Sequence, residues 1–215
     1  MQCENTNTMK KDYKKHFNIH DIVRLVQHLV KDENYGYGFM LMIGSTLGYK
    51  IGILLDMKWE NFIDANAKAM SEIKVGTNEP RPVSKFLKGF IEYVYQKTGN
   101  PPLDSSPFIN HTTKELFNTR NLNRELRRLQ KKYTTIVGMP YPLETDTMRR
   151  VFGLSVWDKW HYQNAALGVL RKHYGHNSDK MTRAFLMIPE KLTTYKVNEI
   201  YDCYDPKWDY ETIAL

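Results

Sequence analysis

Four basic side chains, spread along the sequence, are candidates to bind one phosphate together. They are Lys50, Lys74, Arg149 and His176. Ammonium, imidazole and guanidinium groups all donate to phosphate oxygens, and arginine can donate two parallel hydrogen bonds to one phosphate. Taken singly, each residue has an ordinary structural explanation, either as an exposed or ion-paired cation or as a histidine at a helix end. Only their combined order along the chain favours a shared site.

Apolar residues with helical spacing run through most of the chain and predict the elements that would position these groups. The Gly36-Tyr37-Gly38 stretch is interpreted as a break between the first two helices. A short alternating stretch over 70–75, followed by Gly76, Pro80 and Pro82, predicts short strands. The predicted fold class is therefore mainly α with a small antiparallel β-sheet (α+β). The predicted helices are 19–30, 39–47, 51–57, 86–97, 121–133, a helix capped by Thr145 or Thr147 that reaches Trp160, 164–174, and one from Ser178 to Leu186. Asn18 and Ser178 are the predicted N-caps of the first and last helices, and Gly175 is the predicted C-terminal cap of 164–174.

The stretch from Tyr174 to Phe185 carries a specific resemblance. Its Tyr174-Gly175-His176 followed by a small polar turn and a short helix resembles the C-terminal motif of the tyrosine recombinases, or phage integrases. In that family the nucleophilic tyrosine follows nine residues after the histidine. The corresponding position in this sequence is Phe185.

Three earlier segments resemble other landmarks of the same family, in the same order. Residues 146–152 resemble the His-x-Leu-Arg-x-x-Phe segment, which places Asp146 at the histidine and Arg149 at the second catalytic arginine. Residues 47–61 resemble the helix of the first catalytic arginine, with Lys50 at that arginine. Residues 73–77 are similar to the hairpin of the catalytic lysine, with Lys74 as the match and Lys68 as a weaker alternative. The resemblance covers 18–186 and implies the DNA breaking-rejoining fold.

The family's chemistry implies what this chain keeps and what it lacks. A tyrosine hydroxyl attacks a DNA phosphodiester without a metal or cofactor, while two arginines stabilise the developing charge. Phe185 has no hydroxyl and cannot be a nucleophile. Lys50 loses the guanidinium fork, and Asp146 brings a carboxylate that would repel phosphate or pair with a neighbouring cation. The predicted catalytic positions are Lys50, Lys74, Asp146, Arg149, His176 and Phe185.

Two explanations of these departures are open. A natural, degenerate member accounts for all of them together, whereas an engineered tyrosine-to-phenylalanine change accounts for Phe185 alone. In a third hypothesis another tyrosine, such as Tyr195 or Tyr201, reaches the site.

The charge of the chain favours double-stranded DNA as its partner. The net charge is +7, and helix 121–133 carries five cations with one acid. Such an excess is more than a solvated face needs, so contact with phosphate is expected. The predicted DNA contacts are Lys50, Lys74, Arg124, Arg127, Arg128, Lys131, Arg149, Arg150 and His176. No cofactor, metal or small-molecule substrate is predicted.

The sequence divides into three predicted parts. Residues 1–17 are predicted to be a flexible basic arm, 18–188 the recombinase-like domain, and 189–215 an aromatic tail that packs on its own domain or on a neighbour. That neighbour would be a second copy or a full-length recombinase. With only 1–17 before the predicted domain, no DNA-clamping domain is expected there, and binding is expected to be weaker and more salt-sensitive than that of a full recombinase. Two cysteines without a disulfide or metal pattern, and no apolar span or leader, predict a cytoplasmic protein without a membrane partner.

The leading hypothesis is a DNA-binding, recombinase-like protein with an impaired active site, linked to DNA recombination or integration of a mobile element. The first alternative is an active site-specific recombinase captured as a tyrosine-to-phenylalanine variant. The second is a protein-interaction module that reuses the fold.

Overall fold

The computed structural model describes residues 17–75, 80–137, 142–160 and 164–188. Most of the predicted arm, up to residue 16, lies outside these residues. So does the predicted tail over 189–215, with Tyr195 and Tyr201. None of the described helices is long and apolar enough to cross a membrane.

Helices make up most of the described chain, and a two-stranded antiparallel sheet lies between the third and fourth. The strands are β1 (Glu72–Ile73) and β2 (Arg81–Pro82), with Ile73 opposite Arg81. The predicted fold class is therefore confirmed. The helices are α1 (Ile19–Lys31), α2 (Tyr35–Leu47), α3 (Ile51–Leu55), a 3-10 turn (Trp59–Asn61), α4 (Lys85–Lys97), α5 (Thr119–Val137), α6 (Thr145–Lys159), α7 (Asn164–Tyr174) and α8 (Asp179–Leu186).

Helix α1 begins at the predicted cap. The side chain of Asn18 accepts from the backbone N–H of Asp21 at 3.0 Å, and the Asp21 carboxylate accepts from the Asn18 N–H at 3.1 Å. This reciprocal pair satisfies two N–H groups that the first turn leaves without helical partners. The apolar face that follows is buried against α2.

Helix α2 corrects one prediction, because Gly36-Tyr37-Gly38 lies inside the helix and not at a break. All three residues are buried. A Cβ at Gly36 would overlap the carbonyl oxygen of Ile109, and one at Gly38 would lie 3.3 Å from the Val30 side chain. The glycines therefore allow close packing against neighbouring chain, a role that local sequence alone cannot distinguish from a turn.

Helix α6 carries Asp146, Arg149 and Arg150, and its start is held by α5. The Asn123 side chain accepts from the N–H of Thr145 at 2.9 Å, and Gln130 accepts from the N–H of Leu143 at 2.7 Å. The N-cap is Glu144, one residue before the earlier of the two predicted caps; its N–H donates to the Thr147 hydroxyl at 3.0 Å. These bonds fix the helix end from which the arginines extend.

The last two helices form a second, smaller apolar cluster with α6. Trp157, Leu170 and Leu186 are buried in it. Gly175 ends α7 with φ of 68°, a left-handed conformation that suits glycine, and Ser178 caps α8 by accepting from the N–H of Met181 at 3.2 Å. Both predicted caps are confirmed. The turn between them brings His176 back toward α6.

Candidate phosphate-binding site

Arg149 is the centre of the site. Its guanidinium carbon lies 4.7 Å from the ring centroid of Tyr174 and 5.3 Å from that of Phe185. The Nε atom is buried and has no hydrogen-bond acceptor among the described residues. No described carboxylate lies within ion-pair distance of the guanidinium. Burial lowers the pKa of Arg149, yet so strong a base stays protonated at neutral pH.

His176 and Phe185 lie beside Arg149, as the resemblance implies. Their ring centroids are 5.5 Å apart, edge to face. Nδ1 of His176 lies 3.1 Å from the hydroxyl of Thr182, which donates to the Ser178 carbonyl at 3.3 Å. With the Thr182 proton so committed, a neutral His176 ring carries its proton on Nδ1, and Nε2 is the nitrogen left for an external hydrogen bond.

Lys50 approaches the same group from the turn between α2 and α3. Its side chain is exposed. Burial lowers the pKa of His176, and the charges of Arg149 and then Lys50 lower it further. Lys50 is therefore close enough to His176 to act on it electrostatically.

Asp146 is exposed on the first turn of α6. It forms no ion pair with Arg149 or Lys50, so one of the two expected roles, pairing with a neighbouring cation, is not seen. Burial lowers the pKa of Arg149, and the charges of Tyr174 and then Asp146 only partly oppose that lowering. Lys50 and Arg149 therefore form no ion pair with any described carboxylate.

Lys74 lies just after β1 and is exposed, and no hydrogen bond or ion pair joins it to another described residue. The weaker candidate Lys68 lies 3.9 Å from the Glu92 carboxylate. The hairpin cation that joins the cluster is one that sequence reasoning missed.

That missed residue is Arg81, on β2. Its guanidinium carbon lies 3.6 Å above the centroid of the Tyr49 ring, and it donates to the carbonyl of Leu47. The charge of Arg149 helps to lower the pKa of Arg81, although burial is the larger cause. The sequence signal for Arg81 was its position two residues before Val83, which is buried, because alternate residues of an extended segment point to the same side.

Two tyrosine hydroxyls near the guanidiniums are committed to backbone carbonyls. Tyr174 donates to the carbonyl of Arg149 at 2.6 Å, and Tyr49 donates to that of Ile73 at 3.3 Å. Burial raises the pKa of both phenols. Burial therefore disfavours the phenolate form of either residue.

His173 lies behind the cluster, stacked on Phe152 with ring centroids 4.6 Å apart. Burial and then the charge of Arg81 lower the pKa of His173 to about 4, with Arg149 adding to the effect and the backbone of Gly48 opposing it. A Cβ at Gly48 would lie 3.0 Å from Nε2 of His173. His173 is thus a neutral packing residue at physiological pH.

The predicted basic face of α5 is more ion-paired than expected. Arg128 and Arg124 lie 3.2 and 3.7 Å from the carboxylate of Glu125, and Arg127 pairs with Glu144. Lys131 is exposed without an ion pair to any described residue. These surface pairs are exposed and weak, so their cations can still exchange partners.

Arg150, next to Arg149 in the sequence, is held by a hydrogen bond within the protein. Its Nε donates to the carbonyl of Phe185 at 3.1 Å, and its guanidinium carbon lies 5.4 Å from the Phe185 ring centroid. Arg150 therefore fixes the end of α8 against α6.

Comparison by sequence finds no matching family model and no matching curated protein. Comparison of structures finds the same architecture in solved recombinases. XerA recombinase matches with a TM-score of 0.58 and 17% identity, over 81% of this chain and 59% of that one. The Tn1549 transposon integrase, solved with transposon right end DNA, matches with a TM-score of 0.56 and 14% identity, over 79% and 60% of the two chains.

XerH recombinase bound to palindromic difH matches with a TM-score of 0.53 and 16% identity, over 86% of this chain and 52% of that one. The chain thus spans between about half and three fifths of the length of these recombinases. At such low identity the likeness concerns the fold. Together with the clustering of Arg149, His176 and Phe185, these matches identify the chain as having the fold of a tyrosine recombinase catalytic domain.

Proposed function

We propose that this chain binds double-stranded DNA by holding a backbone phosphate at Arg149, and that it does not cut the strand. The observation that carries the proposal is the buried Nε of Arg149, which has no acceptor among the described residues. A buried donor without a partner costs about 1–3 kcal/mol, and more on a charged group. A backbone phosphate bound to the guanidinium would neutralise its charge and, where the surrounding side chains open enough for an oxygen to reach Nε, would satisfy that donor as well.

The neighbours of Arg149 support an anion as its ligand. Lys50 and Arg149 act electrostatically on the same His176 ring, so Lys50 adds a second cation to the site, and no described carboxylate forms an ion pair with Arg149. The exposed cations of α5, chiefly Lys131, would add contacts along the DNA backbone. Solved XerH and Tn1549 integrase structures with a similar fold contain DNA, which supports the same class of ligand.

The chemistry of the site argues against strand cleavage. Phe185 occupies the position that the resemblance assigns to the nucleophile, and the Tyr49 and Tyr174 hydroxyls are committed to carbonyls. Lys50 lacks the bidentate fork, and Asp146 adds a negative charge near the phosphate. We therefore propose a degenerate, recombinase-like protein that accompanies or regulates recombination or integration of a mobile element.

A nicked suicide duplex tests this proposal. On a native gel at low salt the protein should shift the duplex, and on a denaturing gel neither the wild type nor Phe185→Tyr should remain attached to it. Absence of any shift at low salt would contradict DNA binding and favour the protein-interaction module. A covalent adduct of the wild type would favour a recombinase that uses another tyrosine. An adduct seen only with Phe185→Tyr would favour an active recombinase that carries a single change.

A further inference from the structure

The turn that carries Lys50 holds a guanidinium from another part of the chain. Arg81 donates to the carbonyl of Leu47, and its guanidinium carbon lies 3.6 Å above the Tyr49 ring centroid. Both contacts are within three residues of Lys50, which stands where the resemblance places the first catalytic arginine. A guanidinium is therefore present at that turn, although it comes from the hairpin.

The register of the hairpin explains why Arg81 points inward. Arg81 lies opposite Ile73, and cross-strand partners project from the same face of a sheet. Ile73 is fully buried, so the shared face is the one turned to the core. Its carbonyl also accepts from Tyr49, which ties the strand to the turn below Arg81.

The charge of Arg81 is not balanced by an acid. Within the described chain, no carboxylate lies within ion-pair distance of Arg81 or of Arg149. The two cations act on the same pair of side chains, since both lower the pKa of His173 and both oppose the rise in the pKa of Tyr174. Two partly buried like charges repel one another, and an anion bound between them would attract both and outweigh that repulsion.

We infer that Arg81 is the second arginine of the phosphate site and donates to the same phosphate as Arg149. The inference rests on the proposed function and deepens it, because it assigns to the hairpin the guanidinium that Lys50 lacks. A guanidinium has five N–H donors, and the bond to Leu47 uses one of them. The remaining donors allow Arg81 to hold the turn and bind the ligand at once.

Side-chain NMR of the wild-type chain tests the inference without altering the fold. The Nε–Hε signals of Arg81 and Arg149 are assigned by their loss in Arg81→Gln and Arg149→Gln. Inorganic phosphate is then added at constant ionic strength, with sodium chloride as the balancing salt. Both signals should shift with one dissociation constant. If the Arg149 signal shifts and the Arg81 signal does not, the inference fails and the proposed function survives. If neither signal shifts and duplex DNA is not bound, both fail.

The salt dependence of DNA binding separates a ligand role from a positioning role. Arg81→Gln keeps a planar donor for Leu47 but removes the charge, so the slope of log K against log salt should fall in magnitude by about 0.9. Arg81→Lys should keep the slope. The matched control is Arg24→Gln, since Arg24 on α1 pairs with Asp21 at 3.1 Å, and it should change nothing. An unchanged slope in a folded Arg81→Gln variant would overturn the inference. If that variant does not fold, the wild-type phosphate titration decides.

Discussion

The hydroxyl of Tyr174 donates a hydrogen bond of 2.6 Å to the backbone carbonyl of Arg149. The ring of the same tyrosine lies 4.7 Å from the guanidinium carbon of Arg149. One residue at the end of α7 therefore holds both the backbone and the charged group of the central arginine. This contact links the second apolar cluster to the candidate site.

Tyr174→Phe should lower the free energy of unfolding by about 0.5–1.5 kcal/mol, because the Arg149 carbonyl loses its side-chain donor. The phenyl ring keeps its place below the guanidinium, so DNA affinity should fall only a few-fold. Urea denaturation and a DNA titration measure the two effects. Unchanged stability would mean that the hydrogen bond contributes nothing to the fold.

Gly153→Ala should destabilise the protein by about 1–3 kcal/mol, because a new methyl group would overpack a filled interior. A Cβ there would overlap the Tyr174 hydroxyl and lie 2.6 Å from Cδ2 of Leu186. The matched control is Gly168→Ala on α7, where nothing lies within 4 Å of the added carbon. Alanine favours a helix over glycine by up to about 1 kcal/mol, so the control should raise the melting temperature. Equal effects of the two changes would contradict the packing at Gly153.

Acid should destabilise the fold through His173. Its pKa is lowered from 6.5 to about 4 in the folded chain, so below pH 6.5 the unfolded state binds more protons. The stability that a neutral His173 contributes is complete above pH 6.5 and is lost as the pH falls toward 4. The loss should reach about 2 kcal/mol, less than the full shift would give, since the ring is partly solvated.

The pH dependence is measured by urea denaturation at several pH values between 7.5 and 4.5. His111 and His176 also have lowered pKa values and act in the same direction, so the comparison with His173→Gln isolates the one residue. The variant should be less stable at pH 7.5 and should lose less stability on acidification. Parallel curves for the two proteins would contradict the burial of His173.

Local patterns predicted much of this fold and part of the site. Helical spacing and the caps at Asn18 and Ser178 depend on neighbouring residues, so the sequence alone located α1 and α8 well. The interpretation of Gly36 and Gly38 as a break was wrong because these glycines allow close packing, Gly36 against Ile109 and Gly38 against Val30 of α1, and such packing is not visible in the adjacent residues.

The residues of the site also fall into a group that the sequence located and one residue that it missed. The order of the motifs was enough to bring Arg149, His176 and Phe185 together, because they lie on α6, in the turn between α7 and α8, and on α8, and the connections between these helices are short. Arg81 was missed because its role depends on the strand register and on the turn against which it packs. Neither is visible in the residues beside it.

The measurement that tests the central claim most directly is a fluorescence anisotropy titration of duplex DNA with the wild type and with Arg149→Gln at two salt concentrations. The wild type should bind at low salt and lose affinity as salt rises. Loss of a charge-assisted contact should weaken Arg149→Gln by about tenfold or more, and its salt slope should be smaller in magnitude by about 0.9. Equal affinity and equal slope for the two folded proteins would contradict a phosphate site at Arg149.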